Sequence, residues 1–253
     1  PPATPLIAHD PYFSVWSMAD KLTAEPTKHW TGHAQPLNSI VRIDGKPYRI
    51  MGDNRGIPAL EQTGSELTFT HTRYHFAGAG VAIDLTFFTP AFLDDLDTLS
   101  RPVTYLTWTA RSTDGAAHQV SVLLNANAEM ATSYSGQPVT YTRQQTANLT
   151  VLSVGTKSQD VLNRSGDDLK IDWGYFHIAV PNDEQPKTAL TSGTVRAFAK
   201  DGILPANDDI DGPAPFTKGQ TEMAVAIPFG SVSAQAVSKT AMVSYTDTYS
   251  MEV

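Results

Sequence analysis

Apolar residues recur at every second position in many short stretches of this chain, and this period constrains the fold more than any other feature. A strand places successive side chains on opposite faces, so each row predicts a strand with one buried face. The rows are Val81/Ile83/Leu85/Phe87, Leu67/Phe69/His71, Leu106/Trp108/Ala110, Val120/Val122/Leu124, Ile171/Trp173/Tyr175/His177 and Val225/Ile227/Phe229. We therefore expect an all-β protein.

Turn residues separate these rows. Asp44-Gly45 and Asp114-Gly115 each predict a hairpin between the flanking strands, and Gly78-Ala79-Gly80 separates two further strands. Regularly spaced short strands with such turns favour a sandwich or a barrel.

Helical patterns are scarce. Residues 156–164 predict one short helix, with Ser158 as a cap and Gly166 beyond its end, and residues 94–99 predict a turn or two. The chain is expected to contain at most one or two short helices.

Composition excludes several functional classes. The 253 residues carry a net charge of −8 without a cluster of Lys and Arg, which argues against a nucleic-acid partner. The chain contains no cysteine, so disulfides, thiolate catalysis and Cys-based zinc sites are excluded. The longest apolar runs span only a few residues, so no membrane-spanning helix is predicted. Residues 1–5 are typical of a trimmed mature terminus, from which we expect a signal peptide to have been removed.

Two tryptophans, a tyrosine, a histidine and an aspartate in the first thirty residues are the candidates for a cleft or a domain interface: Asp10, Tyr12, Trp16, His29 and Trp30. His29 and Trp30 lie in a polar loop flanked by prolines, where they could line a cleft or simply anchor the loop. Asp10 precedes a proline and either starts a turn or contacts a substrate.

Two acidic clusters are candidate sites. Asp94, Asp95 and Asp97 could supply an acid and a base, but neighbours in sequence rarely straddle a bond, and a turn paired with Arg101 is the simpler interpretation. Residues 207–212 begin like a calcium loop, yet Lys218 replaces the acid expected at its twelfth position. The histidines are scattered, so no catalytic residue, metal or cofactor is predicted in this chain.

The aromatic segments 5–17, 29–32 and 41–52 resemble the start of the glutaminase A family of secreted proteins. Later segments of the chain resemble the same family in the same order, which strengthens the resemblance: residues 85–90, 94–105, 114–120, 166–175 and 247–252.

The resemblance implies a large antiparallel β-sandwich of the supersandwich type with long loops, occupying residues 1–253 as one domain. It implies a downstream helical α/α toroid, like that of six-hairpin glycosidases, that converts L-glutamine to L-glutamate and ammonia. This chain is then a non-catalytic N-terminal domain, secreted or periplasmic, that packs on and shapes the catalytic domain. Glutamine or a glycan is the small molecule expected near their interface.

Two other functions stay open at this point. The chain would be a carbohydrate-binding module, or an accessory domain of a glycoside hydrolase-like enzyme, if several of its tryptophans were exposed in one line. These tryptophans are Trp16, Trp30, Trp108 and Trp173. A self-sufficient glycosidase would need two exposed carboxylates about 5 to 9 Å apart across a cleft.

Overall fold

Strands dominate the computed structural model of the chain, which describes residues 3–10, 12–166, 169–210, 212–216 and 221–247. In chain order the strands are β1 (Thr4–Ile7), β2 (Val15–Ser17), β3 (Leu37–Ile43), β4 (Lys46–Met51), β5 (Glu61–Leu67), β6 (His71–Gly78), β7 (Val81–Phe88), β8 (Val103–Ser112), β9 (His118–Asn127), β10 (Pro138–Gln145), β11 (Leu149–Thr156), β12 (Tyr175–Pro181), β13 (Lys187–Thr191), β14 (Ala214–Pro215), β15 (Glu222–Val232) and β16 (Val237–Thr246). The helices are α1 (Leu96–Leu99) and α2 (Thr194–Asp201), and Ala128–Ala131 and Asn182–Glu184 form short 3-10 helices.

The strands form two large antiparallel sheets and one small one. The first large sheet has nine strands in the order β14-β10-β11-β12-β16-β8-β7-β6-β5, and the second has five in the order β13-β15-β9-β3-β4. β1 and β2 pair separately. One cluster of buried side chains contains residues from both large sheets, so the sheets pack face to face. The predicted all-β sandwich is confirmed.

Four of the six predicted period-2 rows lie in the core. The row Ile171/Trp173/Tyr175/His177 is wrong as a strand, because β12 begins only at Tyr175 and buries Phe176 and Ile178 instead of Tyr175 and His177. Along β7, Val81, Ile83, Leu85 and Phe87 are buried while the residues between them are partly exposed. The rows 106–110, 120–124 and 225–229 are also buried. These side chains remove their apolar surface from water on folding, which contributes about 25 cal/mol per Å² of buried area.

The five-stranded sheet is buried on both faces, because α2 covers the face that points away from the core. Phe198 of α2 packs on Ile40 and Leu123 of the sheet. This helix was not predicted. It begins after Gly193 without a side-chain cap from its own segment, and the distant carboxylate of Glu222 accepts from the Thr194 amide instead, at 3.0 Å.

The short helix α1 confirms the turn predicted over residues 94–99. The helix predicted over residues 156–164 is wrong. Thr156 ends β11, and Gln159 and Leu162 have positive φ angles of 53° and 48°, which an α-helix does not accommodate. No helix among the described residues is long and apolar enough to cross a membrane.

The predicted hairpins have different outcomes. Asp44 and Gly45, both with positive φ, join β3 to β4 as expected. The Asp114-Gly115 hairpin is wrong, because β8 belongs to the nine-stranded sheet and β9 to the five-stranded sheet. The row Leu67/Phe69/His71 is also not one strand: β5 ends at Leu67, β6 begins at His71, and Phe69 lies in the turn between them.

One end of the nine-stranded sheet, here called the exit end, is where β16 leaves the sheet. Thr246 pairs with Tyr175 at the start of β12, and Ser244 pairs with Val103 at the start of β8. β7 also ends here, and β5 turns into β6 here. Long loops gather at the exit end, whereas a short turn, Gly78–Gly80, joins β6 to β7 at the opposite end.

Candidate functional site

The loop between β1 and β2 lies at the exit end and is shaped by Asp10. The Oδ1 atom of Asp10 accepts hydrogen bonds from the amides of Tyr12 at 2.7 Å and Phe13 at 2.9 Å, as in a turn closed by an aspartate side chain. This turn buries Phe13, whose ring stacks on Tyr245 of β16 with centroids 4.8 Å apart. Asp10 thus has the turn-forming role that was one of its two interpretations.

A shallow depression of about 330 Å³ opens beside this turn. Asp10, Trp16 and Trp30 line it together with Ala8, His9 and Ser14. The indole of Trp16 is half-buried and donates to the Ser14 hydroxyl at 3.0 Å. Trp30 is 54% exposed, so it forms an apolar wall of the depression in contact with water.

The loop that carries Trp30 is held firmly. The Thr27 hydroxyl donates to the Gln35 carbonyl at 2.6 Å and accepts from the Leu37 amide at 2.8 Å, which closes the base of the loop. The backbones of Lys28 and Trp16 exchange two hydrogen bonds. The tip turns at Gly32, whose φ of 90° favours glycine. Trp30 is therefore presented by an ordered loop.

His29 is buried and does not line the depression. Its side chain is fully buried, with Nδ1 2.8 Å from the Thr31 hydroxyl. Within the described part of the chain, its Nε2 has no hydrogen-bond partner of good geometry. Burial, reinforced by Lys170 and His33, lowers the pKa of His29 to about 4, and the backbone carbonyl of Tyr12 opposes this only in part. His29 is thus a neutral anchor for the loop.

Tyr12 also lies outside the depression. Its ring meets the edge of Trp173 with centroids 5.5 Å apart, and its backbone carbonyl accepts from the Ile171 amide at 3.1 Å. The structure therefore brings Asp10, Trp16 and Trp30 together in the lining of the depression, which does not include His29 and Tyr12. The assignment of these five residues to a cleft or a domain interface stays a prediction.

Two polar residues of this region were missed by sequence reasoning. The Nδ1 atom of His9 lies 3.1 Å from the hydroxyl of Thr104, and burial lowers the pKa of His9 to about 4. The buried ammonium of Lys170 donates to the carbonyls of Ala34 and Glu129 and so supports the Trp30 loop from below. Burial lowers the pKa of Lys170 to about 8, although Glu129 and Asp172 oppose the decrease. A lone His or Lys carries no sequence signal for such a role.

The acidic clusters have local structural roles. Asp95 caps α1, because its Oδ1 accepts from the Thr98 amide at 3.0 Å. The hydrogen bond from the Thr98 hydroxyl foremost, and then this amide bond, lower the pKa of Asp95. Asp208, in the segment that resembles a calcium loop, is engaged by both guanidinium nitrogens of Arg143 at 2.6 and 2.9 Å. Asp211 and Lys218 of that segment lie outside the described residues. Among the residues that the structure does describe, no group of three or more His, Asp or Glu is placed to hold a metal ion.

Comparison with solved structures finds distant likenesses. The galactose mutarotase related enzyme from Lactobacillus acidophilus superposes with a TM-score of 0.43 at 6% identity, over 98% of each chain. Heparan sulfate lyase HepC from Pedobacter heparinus gives a TM-score of 0.37 at 10% identity, over 76% of this chain and 22% of that chain. Both scores are below 0.5, so neither supports a statement about function.

Comparison of sequences is more informative. Glutaminase A from Aspergillus oryzae is 28% identical over 222 residues, which is 83% of this chain but 32% of the relative. The chain thus spans about a third of the length of that relative, and the resemblance to the glutaminase A family is confirmed. This relative supports a place for the chain among accessory domains of hydrolase-related proteins. Residues 1–57 match the family described as a domain of unknown function, DUF4964. Residues 70–253 match a second family over most of the chain, and the protein therefore belongs to the domain of unknown function family DUF5127.

Proposed function

We propose that this chain is the non-catalytic N-terminal domain of a glutaminase A-like hydrolase, and that it packs on and shapes a catalytic domain further along the same chain. The intact protein would convert L-glutamine to L-glutamate and ammonia, outside the cytoplasm. The observation that carries the proposal is the position of Trp30: a half-exposed indole, on a firmly held loop, at the end of the sandwich where β16 leaves its sheet.

The last described residue, Asp247, lies close to the depression. The Tyr245 hydroxyl donates to the Trp173 carbonyl at 2.9 Å, and its ring stacks on Phe13 of the Asp10 turn. Burial and the neighbouring Asp10 carboxylate raise the pKa of Asp247. The end of β16 therefore lies near the rim of the depression, where Trp30 is available to contact a domain further along the chain.

The chemistry of the depression supports an accessory role. Asp10 is the one carboxylate among the described residues that line it, and two backbone amides already engage that carboxylate. A general acid–base pair would require a second titratable group placed across a bound substrate. His9 also lines the depression, but burial keeps its imidazole neutral and its Nδ1 faces Thr104. These groups hold the loop in place.

Glutaminase assays on two forms of the protein test the proposal. Residues 1–253 alone should release no ammonia from L-glutamine, whereas the longer protein encoded by the same reading frame should be active. In the longer protein, Trp30→Ala should raise KM by about tenfold, as expected when a buried interface aromatic is truncated. Turnover by residues 1–253 at the rate of the longer protein would refute this division of labour.

A carbohydrate-binding module is the second candidate, favoured by the indole of Trp30 beside the carboxylate of Asp10. Trp108 and Trp173 are buried, however, so a row of four stacking platforms does not form. Oligosaccharides that quench Trp fluorescence of the wild type, but not of Trp30→Ala, would favour this candidate. Absence of quenching with a panel of neutral and acidic oligosaccharides would count against it.

A further inference from the structure

A second surface at the exit end is apolar and exposed. It is formed by the turn between β5 and β6 and by the connection between β7 and β8. Phe69 is fully exposed, and Leu93 and Leu96 are 82% and 72% exposed. We call this surface the apolar ridge, and its residues are Leu67, Phe69, Phe92, Leu93, Leu96 and Leu99. Contiguous exposed apolar surface on a globular protein marks an interaction site.

The two segments of the apolar ridge form one continuous surface. The Thr89 amide donates to the Thr70 carbonyl at 3.1 Å, which ties the connection to the turn. His71 stacks on Phe88 with ring centroids 4.3 Å apart, and Phe88 meets the edge of Phe92 at 6.3 Å. Contacts among these three rings therefore join the two segments.

The leucines of the ridge are presented by an ordered turn. Asp95 caps α1 through the Thr98 amide and the Thr98 hydroxyl, and the Ser100 amide donates to the Leu96 carbonyl at 2.9 Å. Side chains that are already ordered lose little conformational entropy when a partner covers them. The ridge is thus prepared for binding.

The apolar ridge adjoins the depression that Trp30 lines. Ala8 is exposed and borders both that depression and the groove between Phe69 and Ala91. Because β7 ends and β8 begins at the exit end, the ridge also lies at the end where β16 leaves the sheet. A domain further along the chain than β16 could reach the depression and the ridge together.

The charge of the residues beside the ridge indicates which kind of partner covers it. Asp94, Asp95 and Asp97 lie between the ridge leucines Leu93, Leu96 and Leu99. An acidic rim repels anionic membranes and complements a protein surface that has an apolar centre and a border of Lys or Arg. The curated relative is about three times as long as its matched part, since 222 residues span 32% of it.

We infer that the apolar ridge is the main anchoring surface for the domain that follows β16, and that this domain meets it with an apolar patch bordered by basic residues. The inference rests on the proposed function and adds to it the surface that carries the contact. In this arrangement Trp30 shapes the entrance of the active site, and the ridge holds the two domains together.

Hydrogen exchange tests the inference by comparing residues 1–253 with the longer protein. Amides of residues 67–71 and 89–99 should exchange at least about tenfold more slowly in the longer protein, because a docked domain suppresses local opening. In the longer protein the triple variant Phe69→Ser/Leu93→Ser/Leu96→Ser should lose this protection and become sensitive to protease between the domains. The matched control is Ile203→Ser, which changes an exposed apolar residue just after α2, the helix that covers the five-stranded sheet.

The outcomes separate this inference from the proposed function. Protection of the Trp30 loop without protection of the ridge would overturn the inference and leave the proposed function standing. If neither the Trp30 loop nor the ridge were protected, both the inference and the proposed function would be overturned. Protection of the ridge in residues 1–253 alone, with dimers in sedimentation, would assign the ridge to a second copy of the chain and overturn the inference.

Discussion

The indole Nε1 of Trp108, on β8, donates a hydrogen bond of 3.1 Å to the hydroxyl of Ser39, on β3. Both side chains are fully buried, and the bond joins the nine-stranded sheet to the five-stranded sheet through the middle of the core. An indole N–H requires a partner when it is buried, so the relative position of the two sheets depends on this pair.

Truncation of this pair should destabilise the chain by amounts that differ with the mechanism. Trp108→Ala leaves a large cavity and should lower the free energy of unfolding by about 3–5 kcal/mol. Ser39→Ala leaves the indole N–H unsatisfied and should cost about 1–3 kcal/mol. Urea unfolding followed by circular dichroism measures both.

The matched control is Thr107→Ala on the outer face of the same strand. Thr107 bonds to Thr240 at 3.0 Å and is partly exposed, so its loss should change stability by no more than about 0.5 kcal/mol. A control variant as unstable as Ser39→Ala would show that the position in the core does not matter.

His118 should make stability depend on pH near neutrality. Its Nδ1 lies 2.7 Å from Asp44 and its Nε2 lies 3.0 Å from Asp114, so only the charged imidazolium donates to both carboxylates. These hydrogen bonds, that to Asp44 foremost, raise the pKa of His118, and they lower the pKa of Asp44 and bring that of Asp114 to about 2.

The direction in which stability changes with pH follows from proton binding. The folded state holds the His118 proton more tightly, so this stabilisation is complete below pH 6.5 and is lost as pH rises through the raised pKa. The aspartates add stability above their unfolded pKa of 3.8 that is lost as pH falls. The Tm difference between the wild type and His118→Gln should therefore be largest near about pH 5 and smaller near about pH 9. A difference that does not vary with pH would contradict this pairing.

His29 should have the opposite effect. Its folded pKa of about 4 lies below the unfolded value of 6.5, so its stabilisation is present above pH 6.5 and is lost as pH falls toward 4. The free energy of unfolding should therefore fall as pH decreases from about 7 to about 4. His29→Phe keeps a ring and cannot titrate, so its unfolding free energy should fall less steeply with acid. Equal slopes for the two proteins would show that His29 is not held neutral.

Trp30 and Trp173 should respond differently to alanine in residues 1–253. Trp30 is half-exposed, so Trp30→Ala should lower the free energy of unfolding by less than about 1 kcal/mol. Trp173 is 7% exposed and contacts Tyr12, so Trp173→Ala should cost about 3–5 kcal/mol. Thermal or urea unfolding of the two variants makes the comparison. A large loss for Trp30→Ala would make Trp30 a structural anchor and weaken its role as a contact surface.

Local patterns were sufficient for most of the core strands and for some turns. The period-2 row of β7 predicts which side chains are buried, because a strand alternates its faces whatever it pairs with. Asp44-Gly45 predicts its hairpin because two residues with positive φ close such a turn without distant contacts. Asp10 and the turn before Arg101 also depend on neighbours within a few residues.

Contacts between distant segments decided the features that local patterns did not predict. Asp114-Gly115 has the composition of a hairpin turn, but the chain crosses there to the other sheet because β8 pairs with β7 and β16. α2 depends on Glu222, which is 28 residues away from Thr194. The contrast between buried Trp173 and exposed Trp30 arises from packing between distant segments.

The sequence by itself therefore determined an all-β chain, the buried face of its main strands and its relationship to the glutaminase A family. Only the tertiary structure decided that Trp16 and Trp30 share a depression with Asp10, and that the apolar ridge lies at the end where β16 leaves the sheet. The physical reason is that alternation is encoded residue by residue, whereas the neighbours of a side chain across a sandwich depend on strand order and on how the sheets pack.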